Sequence, residues 1–240
     1  MPGLGNVTME TIEQALYVVA TPIGNLADMT YRAVHILSGV DLIAAEDTRT
    51  TSVLLNHYNI RTPMKSYHAR NVAQQTPLLI DLLKQSKSLA LVSDAGTPTI
   101  SDPGYHLVRA AVEADIRVIP IPGASAVLAA LMAGGLPTHN FVFEGFLPQK
   151  KGRHTKIARL AEESRTIVLY ESPHRIHKTV DQLLEAWGDR PCVMARELTK
   201  KFETIHHTTL SGLQHHIRDK KVKGELVLVI HGATDKKNSS

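Results

Sequence analysis

The chain has 240 residues, 43% apolar and 21% charged, with a net charge of +4, which is globular usage and excludes a wholly disordered chain. No apolar run reaches the roughly 18–20 residues of a membrane span. Met1 to Gln14 has neither a basic start nor a continuous apolar core, so no secretory signal is expected. One cysteine, Cys192, excludes an internal disulfide and any cysteine-built metal cage, and the expected location is cytoplasmic.

Taken in chain order, the first half alternates short apolar runs with amphipathic stretches. Leu16–Ala20, Leu42–Ala45, a weaker run near Met64–Tyr67, Leu89–Val92 and Val118–Ile121 read as strands buried on both faces of a parallel sheet. Helical patterns fall at about 29–38, 51–57, 74–85 and 105–114, and this βαβα alternation predicts an α/β domain. Asp28 is expected to cap the first helix and Gly39 to close it, while Asp102 followed by Pro103 reads as the start of the fourth. Gly123-Ala124-Ser125 opens a helix of small residues, Ala126 to Gly134, expected to pack closely on the sheet.

The pattern restarts after Gly134-Gly135-Leu136-Pro137. Strands are expected at Phe141–Phe143, Thr166–Tyr170, Cys192–Ala195, Thr204–Leu210 (antiparallel) and Leu226–Ile230, with helices at 153–163 and 176–187. The expected organisation is an N-terminal parallel-sheet α/β domain, 14–137, and a C-terminal mixed-sheet α/β domain, 138–234. The tail Asp235 to Ser240 is expected to be disordered. Residues 1–138 carry 9 Lys/Arg against 11 Asp/Glu, whereas residues 139–240 carry 18 against 12. The basic excess lies in KKGRHTK (150–156), LTKK (198–201) and DKKVK (219–223), a composition that attracts polyanions.

The unusual residues cluster just after predicted strands: Thr21-Pro22-Ile23-Gly24-Asn25, Glu46-Asp47-Thr48-Arg49, Ser93-Asp94-Ala95-Gly96-Thr97-Pro98 and Pro122-Gly123-Ala124-Ser125. In a parallel sheet these four loops leave the same edge, the edge where open α/β sheets bind ligands. GxxxxGK[ST] and GxGxxG are both missing, which disfavours a nucleotide hydrolase and a dinucleotide enzyme. Pro22 and Pro98 remove amide donors and stiffen their turns, which suits a neutral or cationic small ligand better than a pyrophosphate. The second half has its own loops, Glu171-Ser172-Pro173-His174-Arg175 and Arg196-Glu197-Leu198-Thr199-Lys200, with Ser172 and Pro173 set to start a helix. Thirteen histidines invite a metal reading, but no HxxxH or HExxH is present and no metal is expected. Trp187 and Cys192 read as core packing.

TPIGNLAD (21–28), AEDTR (45–49), SDAGTP with ISDPGY (93–105), PGASA (122–126), EGFLP (144–148), ESPHR (171–175), RELTK (196–200) and KGELVLVI (223–230) resemble the ribosomal RNA small subunit methyltransferase I family. That family falls within the tetrapyrrole-methylase-like class of S-adenosylmethionine enzymes. The resemblance runs from about Leu16 to Gly232. It implies a two-domain tetrapyrrole-methylase-like α/β fold, S-adenosyl-L-methionine as cofactor, a homodimer, and 2′-O-methylation of a cytidine ribose in the decoding region of 16S rRNA in the 30S subunit. It places the cofactor against Pro22, Gly96, Thr97, Pro98, Ile100, Ser125 and Ala126, with Tyr170, Leu198 and the Lys223-Gly224 turn as neighbours from the second domain. Members of that family often continue past the last strand with a basic helical extension.

A ribose hydroxyl is a poor nucleophile near neutral pH, so a base is expected to help. Glu46, Asp47, Glu171, His174 and Glu197 are the candidates, with Arg49, Arg175 and Lys200 to hold phosphates or orient carboxylates. For each carboxylate a salt bridge or helix cap is the competing role. Two alternatives stand beside this reading: a same-fold methyltransferase acting on a tetrapyrrole, and a non-enzymatic RNA-binding module.

Overall fold

The structure, a computed structural model, describes residues 11–234. The expectation for the tail from Asp235 lies outside the described residues. Contacts divide the chain into two compact units, at Ser125/Ala126.

In the first unit, β1 (Leu16–Val19), β2 (Leu42–Ala45), β3 (Met64–Ser66), β4 (Leu89–Val92) and β5 (Val118–Ile121) form an all-parallel sheet in the order β3-β2-β4-β1-β5. Helices α1 (Tyr31–Gly39), α2 (Thr48–His57), α3 (Val72–Lys84) and α4 (Tyr105–Glu113) connect the strands. Successive strand residues point to opposite faces. Tyr17, Val19, Ile43 and Ala45 therefore pack with Ile36 and Leu37 of α1 and Leu55 of α2. Leu16, Ala44, Leu89 and Leu91 pack with Leu79 and Leu83 of α3 and Leu107 of α4. Both faces are buried, which is why these strands read as unbroken apolar runs.

The caps differ in detail from expectation. Asn25 caps a single 3-10 turn, Leu26–Asp28, by accepting from the Ala27 N–H at 3.1 Å, and α1 starts later, where Thr30 accepts from Ala33 N–H at 3.1 Å. Asp28 therefore ends a turn rather than opening the helix. Asp47 caps α2, so that helix begins at Thr48 and not near 51. Asp102 accepts from Gly104 N–H at 2.6 Å and shapes the turn that leads into α4.

In the second unit, α5 (Ala126–Gly134) precedes β6 (Phe141–Phe146), α6 (Arg153–Leu160), β7 (Thr166–Glu171), α7 (Ile176–Trp187), β8 (Pro191–Arg196), β9 (Thr204–Thr209), α8 (Leu210–Ile217) and β10 (Leu226–Ile230). The sheet order is β6-β7-β10-β8-β9, with β6 parallel to β7 and every other pair antiparallel, a mixed sheet. One face packs Leu169, Leu228 and Met194 with Ile157 of α6, Val180 and Leu183 of α7, and Leu213 of α8. Helix α5 lies against β8, β9 and β10. A methyl group on Gly134 would sit 3.9 Å from both Val193 and Val229, so its small residues do allow close packing. The sheet it packs on is the second one, whereas the expected limits 14–137 grouped it with the first.

Helix α8 was not anticipated. Its signals are local, since Thr209 accepts from Gly212 N–H at 3.3 Å and Leu210, Leu213 and Ile217 are buried at helical spacing. Trp187 donates Nε1–H to Ile157 O at 2.8 Å inside the core. Burial pushes the Cys192 thiol up to about 12, as for an inert packing residue. Among the described residues no helix is long and apolar enough to cross a membrane.

Candidate active site

At the carboxyl edge of the first sheet, the connection leaving β1 runs toward β2 and that leaving β4 runs toward β5, so neighbouring strands send their loops to opposite sides. Such a reversal opens a crevice above the strand ends. Backbone bonds tie the loops there. Thr21 N–H donates to Gly96 O at 2.9 Å, and Gly96 N–H returns to Thr21 O at 3.0 Å. Thr97 Oγ1 donates to Ala124 O at 3.2 Å, joining the loop after β4 to that after β5. Gly96 holds a left-handed φ of +79°, and a Cβ there would come within 3.2 Å of Ile23 Cγ2. Pro98 is buried, Pro22 and Thr97 are half-buried, and Ile100 is exposed. Thr99 and Ser101 also take left-handed conformations, local strain in a loop that the rest of the edge holds in place.

The same edge gathers acidic groups. Glu46 extends from the end of β2 and accepts a long bond, 3.3 Å, from Asp94 N–H. Burial raises its carboxyl above the ordinary range, and the charges of Asp94, Asp102 and Asp47 add to the rise. Burial likewise raises Asp102, against the lowering effect of the Gly104 N–H. Asp102 Oδ2 and the Thr21 hydroxyl, on a residue 3% exposed, are buried without a hydrogen-bond partner among the described residues. Asp47 is committed elsewhere. It accepts from Arg49 N–H at 2.8 Å and from both Arg49 Nε and NH2, which hold its carboxyl down at about 2. Arg49 thus orients the α2 cap.

Register aligns the strand termini at one edge of the second sheet. Phe146 pairs with Tyr170, Glu171 with Leu226, Leu226 with Arg196, and Arg196 with Thr204. The loops after β6 and β7, between β8 and β9, and before β10 therefore share one sheet edge. Tyr170 is half-buried between Phe143 and Phe146, with ring centroids 5.0 and 5.5 Å away, and burial raises its phenol. Leu198 is buried inside its loop.

Glu171 has a fully buried side chain whose oxygens are occupied. Ser172 N–H and Arg175 NH2 reach Oε1 at 2.7 and 2.8 Å, and Thr179 Oγ1 donates to Oε2 at 2.5 Å. Arg153, 4% exposed, closes the group through Thr179 at 2.6 Å and lies 3.9 Å from Oε2. Glu171 is a pivot holding α6, α7 and β7, with no face toward solvent. His174 is exposed in the turn before α7. Glu197 accepts from Glu225 N–H at 2.9 Å and Lys200 Nζ at 3.0 Å, and those partners hold its carboxyl low. Gly224 makes this possible, because with φ of +89° any Cβ would fall 2.4 Å from Glu197 Cδ. Among the described residues no cluster of three His, Cys, Asp or Glu is placed to hold a metal ion.

A parallel α/β unit with stitched loops at its carboxyl edge, followed by a mixed-sheet unit, matches one protein class over most of the chain. Residues 15–214 match the profile of the tetrapyrrole (corrin/porphyrin) methylases, and the chain belongs to that family. The fold is shared by uroporphyrin-III C-methyl transferase from Thermus thermophilus, solved complexed with S-adenyl homocysteine. The TM-score is 0.64 at 17% identity, over 90% of this chain and 97% of that one.

Within the class the relatives are narrower. The ribosomal RNA small subunit methyltransferase I of Vibrio cholerae serotype O1 is 50% identical over 96% of this chain and 81% of its own length. That of Synechocystis sp. is 53% identical over 91% and 79%. The chain belongs to the ribosomal RNA small subunit methyltransferase I family and is a methyltransferase.

Proposed function

We propose that this protein methylates the 2′-oxygen of a cytidine ribose in the decoding region of 16S ribosomal RNA, with S-adenosylmethionine as donor. The observation that carries this reading is the 50–53% identity, over more than nine tenths of the chain, with relatives that bear the rRNA methyltransferase name. The donor supplies an electrophilic methyl group on a cationic sulfonium. The first sheet edge fits a cation, because Glu46, Asp94 and Asp102 give it negative potential. Thr21 Oγ1 is available there for a polar contact, and Pro22 and Pro98 leave few amide donors for a pyrophosphate.

The residues proposed to hold the donor at the first sheet edge are Pro22, Gly96, Thr97, Pro98, Ile100 and Ser125, and the family resemblance alone adds Ala126, Tyr170 and Leu198 as donor neighbours. Their work is positioning: they hold the methyl carbon for in-line attack by the ribose 2′-oxygen, the O–C bond forming as the C–S bond breaks and the neutral thioether leaves. Glu46 is the proposed base. It is half-buried, lightly hydrogen-bonded and more basic than an ordinary glutamate, so it takes the 2′-hydroxyl proton at neutral pH. His174 is the second candidate, exposed on the other edge. Asp47, Arg49 and Glu171 act by holding backbone and side chains in place. The reading includes a cytoplasmic homodimer.

Mass spectrometry of 16S rRNA from cells with and without the gene tests the proposal. One additional 2′-O-methylcytidine in the decoding region is expected in cells that carry the gene. Unchanged ribose methylation, or methyl transfer to a tetrapyrrole in its place, overturns it.

A further inference from the structure

The edge of the second sheet leaves an aromatic ring in water. Phe146, the last residue of β6, is 54% exposed although Gly145 before it and Leu147 after it are buried. It is nevertheless held firmly. Tyr170 lies opposite it across the parallel β6–β7 pair with centroids 5.5 Å apart, and Phe143 backs Tyr170 at 5.0 Å. The Arg175 guanidinium stands 5.8 Å from the Phe146 ring centroid. That cation is itself fixed by Glu171 at 2.8 Å and by the Leu147 carbonyl at 3.3 Å. The chain leaving Phe146 is pinned as well, since Pro148 O accepts from buried Arg153 at 3.1 Å, and it then presents exposed Lys150 and Lys151. A preorganised ring, a fixed guanidinium beside it and free lysines next along the chain form the combination by which proteins grip unpaired RNA. Stacking recognises the base, and cations recognise the phosphates.

We infer that Phe146 is a stacking platform for an unpaired RNA base, with Arg175 at its flank and Lys150 and Lys151 engaging the adjoining phosphates. This deepens the proposed function and rests on it. The charge excess of the second half and the pinned geometry favour RNA as the occupant over an apolar protein partner.

The test uses the full chain and two probes. Binding of a short unpaired pyrimidine-containing RNA is followed by fluorescence anisotropy, and binding of S-adenosylmethionine by calorimetry. Phe146→Leu keeps an apolar contact for Tyr170 but loses the π face. It is expected to weaken RNA binding by at least about 5-fold, and Phe146→Ala by roughly 5- to 150-fold. Phe146→Trp is expected to restore wild-type binding, with donor affinity unchanged in all three. Replacing Lys150 and Lys151 by Ala is expected to flatten the dependence of log affinity on log salt by about 0.7 per lysine. Wild-type RNA affinity in Phe146→Leu, a loss of donor affinity, or a change of oligomeric state in its place overturns the platform. Absence of ribose methylation by the wild-type protein overturns the underlying reading instead, and wild-type activity separates the two failures.

Discussion

Glu46 and Glu171 occupy similar places, each at the carboxyl end of a strand, yet their surroundings give them opposite work. Glu46 has one long hydrogen bond and a carboxyl that burial makes more basic. Glu171 has its oxygens filled by a backbone N–H, a hydroxyl and an arginine, with a second arginine nearby. Substitution by glutamine is expected to separate them. Glu171→Gln leaves Arg153 and Arg175 without their counter-charge and should cost about 3–5 kcal/mol of stability in urea unfolding, while the folded fraction keeps the acid limb of wild-type kcat. Glu46→Gln should keep or slightly gain stability near neutral pH and lose about 10²- to 10⁴-fold in kcat. A base must be ionised to act, so the acid limb of wild-type kcat should lie above the ordinary glutamate range and vanish in Glu46→Gln. The chain order ESPHR made Glu171 look as available as Glu46. Its withdrawal follows from Thr179 and Arg153, which are brought to it by α7 and α6 and lie 8 and 18 positions away in the chain.

At the scale of elements, the turn before β10 shows how one backbone position can organise a loop. Glu197, itself left-handed at φ +53°, reaches across Gly224 to the Glu225 N–H and to Lys200. Lys200 also binds Glu225 at 2.9 Å, so both loops are cross-braced. Gly224→Ala meets a left-handed backbone, costing about 1–2 kcal/mol, and a clash that expels the Glu197 side chain. Gly135→Ala carries only the first cost, because at φ +65° none of the described residues lies within 4 Å of its Cβ. Gly224→Ala should therefore be the less stable of the two in urea, by the worth of the Glu197 bonds. Equal midpoints would remove the brace. Sequence pattern placed most elements within a few residues, including α4, α5, α7 and β10. It missed α8 because Ser211, Gly212 and the paired histidines mask a three-residue apolar stripe that becomes clear only once Leu210, Leu213 and Ile217 are seen buried together.

For the whole molecule, the carboxylates set the response to acid. Asp41 accepts from Ser88 N–H and Oγ, both at 2.8 Å, and pairs with Lys87, which lowers it from 3.8 to about 2. Arg165 lowers Glu163 from 4.5 to about 2 in the same way. A group whose folded value is depressed binds fewer protons folded than unfolded, so its contribution is complete above about pH 4 and is lost as pH falls toward 2. Glu46 and Asp102 act with the opposite sign, since their raised values let the folded form take up protons first as pH falls from neutral. Urea midpoints measured across pH should therefore rise slightly as Glu46 and Asp102 take up protons above the ordinary carboxylate range, and fall below about pH 4. Asp41→Asn should flatten part of the lower fall, and a loss of stability unaltered by that change would exclude Asp41 as a contributor.

The sequence by itself determined the strand runs, the α/β class, the charge division between halves and the concentration of unusual residues in loops after strands. Each of these depends on residues near one another in the chain, through side-chain period, cap chemistry and the freedom of glycine and proline. Tertiary structure alone decided the order β3-β2-β4-β1-β5, the packing of α5 on the second sheet, the burial of Glu171 and the exposure of Phe146. Those outcomes depend on which apolar faces meet and which charges they trap, energies summed over residues far apart in the chain, to which a local pattern is blind.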